Sequence, residues 1–352
     1  TLTMYLDGIL PSLDFSKINL TPNDATRNAS SKVLAYLAEQ VGNMIVASAD
    51  LSNSDMTDGF LKKTTAFTKG NFSGAFMQAG VSELTMAALS TGMALHGGVI
   101  PVCATFFAFS DYMKPVLRVA SLMEQPVKFV WTHDAFRVGE DGPTHQPIEQ
   151  EAQLRLLEKL HNHSGIPSFV ALRPADSAET AKAWELLLHT KDRPGGLILS
   201  RQNIKDLPPK SEDRFSDSAG LSKGAYIVYE TSEDADVILL ANGSEVSTLI
   251  DAAVLIESRT HYRVRVVSVP SEGIFRQQPT HYQHSVLPDG IPVFGLTAGL
   301  PVTLEGMIKD NGRVYGMTHF GYSAPYTVLD EKFGYTAENM VKHVMQLIDE
   351  NN

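Results

Sequence analysis

The sequence predicts an α/β protein of two doubly wound domains, a parallel-sheet domain followed by a smaller α/β domain. Three observations carry this. At 352 residues the chain is long for one compact unit, so two cores are expected. Short apolar runs rich in β-branched residues alternate with longer stretches of helical period, the βαβ pattern of a parallel sheet. Between the two halves, residues 206–222 are polar, carry the pair Pro208-Pro209 and have no period, which marks a linker.

The elements follow in order. Residues 1–10 read as the end of a helix with no initiating Met, so the chain is expected to begin inside a longer natural one, with residues 1–24 a linker from a missing upstream domain. Strands are expected over 43–48, 99–104, 127–132, 168–172 and 196–200, each too apolar for a half-exposed edge. Helices are expected over 25–40, 82–95, 111–122, 146–160 and 177–188, several opened by Asp, Ser or an early Pro. These make a first domain over 25–205. After the linker, strands over 237–240, 264–269, 291–296 and 313–317 and a helix over 245–257 make the second domain, 223–352.

Composition narrows the function. Hydrophobic residues at 43% and charged residues at 20% suit a soluble globular enzyme and exclude a disordered, collagen-like or disulfide-rich chain. The 29 basic and 40 acidic residues give a net charge of −11, which repels a phosphate backbone and makes nucleic acid a poor partner. The single cysteine, Cys103, lies in an apolar run and reads as a buried hydrophobe in a reducing, cytoplasmic compartment. No stretch is long and apolar enough for a membrane span.

In an open parallel sheet, ligands bind beyond the carboxyl ends of the strands, where loops and helix N-termini converge. The expected strand ends carry Asp50 and Ser54, then Phe106, Phe109 and Tyr112, then His133, then Arg201. The densest string is Gly139-Glu140-Asp141-Gly142-Pro143-Thr144-His145-Gln146-Pro147. Its glycines and prolines fix a tight turn, and Asp141 and His145 supply an acceptor and a titratable donor four positions apart, suited to sugar hydroxyls. An N-cap would explain its acidic residues but leaves His145 without a task. The pairs His161/His163 and His281/His284 lack the companions of a metal site and read as surface histidines, so no protein metal ligand is expected.

That string, preceded by His133-Asp134, resembles the signature of transketolases. Companion motifs follow in the same order: Ala25-Thr26-Arg27, Ser48-Ala49-Asp50-Leu51, Thr105-Phe106-Phe107-Ala108-Phe109, Leu172-Arg173-Pro174-Ala175-Asp176, Leu199-Ser200-Arg201-Gln202-Asn203, Gly243-Ser244-Glu245-Val246 and Phe320-Gly321. The resemblance runs from about residue 21 to the end. It implies a pyrimidine-binding domain followed by a transketolase C-terminal domain, without the amino-terminal diphosphate-binding domain. No Gly-Asp-Gly motif, which in the family helps hold Mg²⁺ and the cofactor diphosphate, occurs in the sequence.

The resemblance further implies a cytoplasmic enzyme of the pentose phosphate pathway. It would be dependent on thiamine diphosphate and Mg²⁺, both held mainly by the absent domain, and would move a two-carbon ketol unit from a ketose phosphate to an aldose phosphate. The chain would act as a C-terminal portion or split subunit, inactive alone, and assemble as a homodimer or with a diphosphate-binding domain or subunit. Glu83 matches the carboxylate that shares a proton with N1′ of the aminopyrimidine; from the residues alone it reads more readily as a first-turn Glu facing the helix dipole. Phe106, Phe109 and Tyr112 match the aromatic pocket of that ring, with Asp50 a further cofactor contact. Arg27, Ser54, His133 and Arg201 match residues that hold the substrate phosphate, Asp141 one that reads a sugar hydroxyl, and His145 a group assisting proton movement at the donor carbonyl. Ser82 and Leu84 depart from the Arg and His that many transketolases place around this Glu, and Ala135-Phe136-Arg137 departs from the usual small residues. Alternatives are 1-deoxyxylulose-5-phosphate synthase, a two-oxoacid dehydrogenase β-like subunit and, in another class, a non-catalytic assembly module.

Overall fold

The computed structural model describes residues 2–308 and 310–351. The first half builds six parallel strands: β1 Met44–Ser48, β2 Phe76–Gln78, β3 Ile100–Phe106, β4 Lys128–Thr132, β5 Val170–Leu172 and β6 Gly195–Leu199, in the order β2-β1-β3-β4-β6-β5. The second half builds β7 Tyr226–Glu230, β8 Val237–Ala241, β9 Val264–Ser268, β10 Val293–Leu296 and β11 Arg313–Tyr315, in the order β11-β10-β8-β9-β7.

Uniform burial explains why the apolar runs became strands. Every residue of β4 and β6 is buried, because helices cover both faces of the sheet. Packing across it is close: a Cβ on Gly196 would lie 2.3 Å from the Trp131 ring, so glycine seats the indole against β6.

Two strands were not expected, each for a physical reason. β2 has only three residues, too few for a readable period. β7 runs antiparallel to β9 at the sheet edge with three of its five residues partly exposed, so the second sheet is mixed. Helix starts also shift. The expected helix over 111–122 is a 3₁₀ turn, Phe107–Tyr112, followed by an α-helix from Lys114 with Pro115 in its first turn. The region read as an aperiodic linker contains a helical turn at Arg214–Asp217 and a 3₁₀ segment at Ser218–Lys223. Arg214 ties that segment down by donating to Asp176 at 2.6 Å and to Tyr226 Oη at 2.8 Å.

Because the first sheet is wholly parallel, its carboxyl ends share one edge. Ser48 pairs with Ala104, Phe106 with Thr132, and Thr132 with Leu199. The residues just beyond β1, β3, β4 and β6 therefore emerge side by side. The order reverses between β1 and β3, which puts the crevice of a doubly wound sheet at that edge.

Candidate functional site

Glu83 opens the helix Glu83–His96 and is buried. Ser82, just before it, donates its hydroxyl to the Ala79 carbonyl at 2.7 Å, which fixes the turn and leaves Ser82 no contact with the carboxylate. Thr105, on β3, donates its Oγ1 to Glu83 Oε1 at 3.1 Å. The carboxylate stands at a surface cavity of about 490 Å³ lined by Val81, Ser82, Glu83, Leu84, Thr85, Phe109 and Tyr112. A buried carboxylate between apolar and aromatic walls fits a flat heteroaromatic ring that can share a proton.

The aromatic residues divide. Phe109 and Tyr112 line the cavity, and Tyr112 is 62% exposed. Phe106 is buried and lies face to face with His133, ring centroids 3.6 Å apart. Phe109 stacks on the other side of Phe106, at 5.9 Å, and meets the His145 ring edge-on at 5.2 Å. Phe106 thus joins the cavity to the histidines. Asp50 follows β1 with φ of 63° and is exposed, outside the cavity lining.

His133 also has positive φ, 64°, a backbone state that non-glycine residues hold only when their surroundings enforce it. Its Nδ1 lies 2.8 Å from Thr132 Oγ1 and its Nε2 3.4 Å from Arg27 Nη1. Since a guanidinium only donates, Nε2 accepts and the proton resides on Nδ1. Burial, then the charges of Arg27 and Arg201 and the neighbouring His145, push its pKa down to about 2, so the imidazole is neutral.

Arg27 reaches this point from the first turn of the helix Thr26–Gln40, which is anchored to the end of β6. Thr26 N–H donates to Ser200 Oγ at 3.0 Å, and Ser200 N–H to Thr26 Oγ1 at 2.7 Å. Arg27 Nη1 donates to the main-chain carbonyl of Ser54 at 2.8 Å, so Ser54 enters the site through its backbone. Arg27 Nε has no hydrogen-bond partner. Burial, and next the charge of Arg201, hold this guanidinium below its ordinary pKa. Two cations that repel one another, beside a neutral imidazole at a helix N-terminus, make a locally positive spot in an acidic protein, suited to an anion.

The loop Gly139–Gln146 closes the third side. Gly139 and Gly142 both have positive φ, and exposed Asp141 lies between them. Gln146 donates from Nε2 to the Gly139 carbonyl and to the Tyr322 carbonyl, each at 3.0 Å. Ser323 donates to the Glu140 carbonyl. The second domain therefore clamps the loop that presents Asp141 and His145.

Residues 23–206, more than half of the chain, match the family described as "Transketolase, pyrimidine binding domain", and residues 224–336 match "Transketolase-like TK C-terminal domain". The chain belongs to the transketolase family. It is 39% identical to a transketolase of Staphylococcus epidermidis over 97% of its own length and 49% of the relative's, and 38% identical to that of Halalkalibacterium halodurans over the same shares. The chain thus spans about half the length of the curated relatives it matches. Its structure is similar to a transketolase of Leishmania mexicana with a TM-score of 0.89 at 36% identity, covering 99% of this chain and 49% of that one. It also shares its fold, with a TM-score of 0.69 at 21% identity, with a chain described as "Split gene transketolase, inactive beta4 tetramer", covering 94% of this chain and 100% of that one.

The transketolase fold also accounts for motifs that had no task in the sequence. Arg173 donates to Asp134 Oδ2 at 3.0 and 2.7 Å, to Asn242 Oδ1 at 2.7 Å and to Glu245. Arg137 donates to Asp330 at 2.7 Å and also to Glu245. Burial favours the neutral acid at Glu245, but Arg173 and Arg137 outweigh it and hold the carboxyl below its ordinary range. The strings around Arg173 and Glu245 are thus two halves of a buried ionic seam between the domains. The unusual Phe136-Arg137 belongs to it as well, since Phe136 packs edge-to-face on Phe333 with centroids 5.1 Å apart. Sequence reasoning assigned no role to Thr105 or Gln146; the polar Thr105 ending an otherwise apolar run was the available signal for the first.

Proposed function

We propose that this chain supplies the pyrimidine-binding and C-terminal domains, over 25–205 and 223–352, of a cytoplasmic transketolase of the pentose phosphate pathway. The reaction moves a two-carbon ketol unit from a ketose phosphate to an aldose phosphate. The observation that carries this reading is the buried Glu83 carboxylate in the wall of the aromatic cavity, at the same edge of the sheet as Arg27, whose Nε has no hydrogen-bond partner. Thiamine diphosphate, when bound, supplies the carbanion chemistry. Glu83 would hold a proton at N1′ of its aminopyrimidine, with Thr105 fixing the carboxylate and Phe109 and Tyr112 walling the ring. Phe106 would keep His133 and the ring wall in register, and Asp50 would contact the cofactor at the end of β1. Arg27 and Arg201 would take the substrate phosphate, with Ser54 orienting Arg27. His133 would accept from Arg27 until phosphate arrives. Asp141 would read a sugar hydroxyl, and His145 would move a proton at the donor carbonyl.

The cavity is open, and its rim carries exposed apolar side chains: Val81 is 82% exposed and Leu84 48%. A patch of this kind beside a site that works by excluding water marks an interface. The reading is that a homodimer, together with a diphosphate-binding domain or subunit carrying Mg²⁺, covers it. Calorimetric titration of thiamine diphosphate tests this. Weak binding by the chain alone and tight Mg²⁺-dependent binding after a diphosphate-binding domain is added are expected; tight Mg²⁺-dependent binding by the chain alone would contradict it.

A further inference from the structure

The amino-terminal edge of the first sheet, opposite the strand-end site, carries a second group with reactive potential. Lys128 is the first residue of β4 and lies about 13 Å along the strand from its far end. It is 2% exposed. Its ammonium has one hydrogen-bond acceptor among the described residues, the Thr190 carbonyl, and no carboxylate within ion-pair distance. Three N–H donors facing one acceptor in a dry setting are poorly served.

Lys128 lies in the wall of a cavity of about 250 Å³ whose lining is mostly apolar, from Leu6 and Leu10 through Ile100 to Leu188. Charged and titratable groups there are few. Tyr5, in the short helix Leu2–Leu6, and Asp7 just after it line the cavity, as does Lys191 after the helix Ser177–His189, where it donates to the Gly8 carbonyl at 2.6 Å. Burial pushes the Lys128 pKa down to about 7; Asp192 opposes this and Lys191 adds to it. An amine whose charged form is disfavoured by burial, in a cavity roomy enough for a small acyl group, is a nucleophile.

We propose that Lys128 is an acylation site for small acyl phosphates. The amine nitrogen attacks the carbonyl carbon and forms the C–N bond. The C–O bond to phosphate breaks, phosphate leaves with the electron pair, and the nitrogen releases its extra proton to the departing phosphate or to water. The product suits the place better than the reactant. An amide is uncharged, so the cost of burying an ammonium disappears, and its single N–H matches the single acceptor at Thr190. A carbamate would put a new charge into the same apolar cavity. Lys191, also lining the cavity, draws the anionic donor toward the amine.

The test is to treat the folded chain with acetyl phosphate at pH 7.5 and follow acetylation of each lysine by peptide mass spectrometry. Lys128 is expected to react about tenfold faster than exposed lysines such as Lys17 and Lys62, because burial disfavours its ammonium form. The advantage should vanish in urea, where Lys128 becomes an ordinary lysine. Lys191→Ala should slow acetylation of Lys128 by acetyl phosphate several-fold while leaving that by an uncharged acetylating ester unchanged. Exposed lysines acetylated while Lys128 stays unmodified, or a Lys128 rate unaltered by urea, would overturn the proposal. So would equal effects of Lys191→Ala on both reagents.

Discussion

Arginines occupy two settings in this molecule. In the seam between the domains, Arg137 and Arg173 are buried and each meets at least two carboxylates. At the strand-end crevice, Arg27 has a main-chain carbonyl and a neutral imidazole for partners, an orphaned Nε, and the charge of Arg201 acting on it more strongly than those of Asp24 and Asp55. Paired guanidiniums hold domains together and have no capacity left for a ligand. Unpaired ones are an uncompensated cost in the free protein, which a bound anion removes. The difference gives one set an architectural role and supports the proposed ligand-binding role of the other, although the two are alike in sequence.

Changes in the two regions should separate cleanly. The largest effect belongs to the crevice: in the assembled enzyme, Glu83→Gln keeps the shape and the Thr105 contact but cannot share a proton, so turnover should fall by orders of magnitude with little change in KM or melting temperature. A matching loss of stability would mean that Glu83 is structural. The seam should behave in the opposite way. Arg173→Met strands Asp134 as a buried charge and leaves Glu245 with Arg137 alone, and urea denaturation should show a loss of about 3–5 kcal/mol. Acid should weaken the same contact, because a carboxyl with a depressed folded pKa stabilises fully above its ordinary value of 4.5 and loses that contribution as pH falls through the lower folded value. A smaller effect is expected where the regions touch. A Cβ at Gly321 would sit 1.7 Å from Gln146 Oε1, so Gly321→Ala must displace Gln146 and release the loop bearing Asp141. Lost hydrogen bonds there cost about 1–2 kcal/mol, and KM for sugars should rise more than kcat falls. An unchanged KM would show that the clamp does not position the loop.

Most of the fold was legible because burial on both faces writes parallel strands as continuous apolar runs, as at 127–132, found as Lys128–Thr132. The edges were not. Phe76–Gln78 and Tyr226–Glu230 pair on one side only and carry little of that signal. In the site, residues beyond strand ends could be placed because the sheet fixes where they emerge. Which way they turn depends on partners far away in sequence. Phe106 stacks on His133 instead of lining the cavity, Ser54 engages by its carbonyl, and Arg137 is held by a domain more than a hundred residues on. Arg173 and Arg201 each follow a strand in similar strings, and only the folded chain shows that one is neutralised by Asp134 and Glu245.

The contrast between paired and unpaired arginines is tested most directly by the specificity constants of the assembled enzyme for a sugar phosphate and its unphosphorylated analogue, measured in wild type, Arg201→Ala and His133→Ala. A lost charge-assisted contact is worth about 1.5–3 kcal/mol, so the preference for the phosphorylated sugar should fall about ten- to a hundredfold in both variants while kcat/KM for the unphosphorylated sugar barely changes. A preference equal to that of wild type would contradict the assignment of Arg201 and His133 to phosphate, and with it the reading of the crevice.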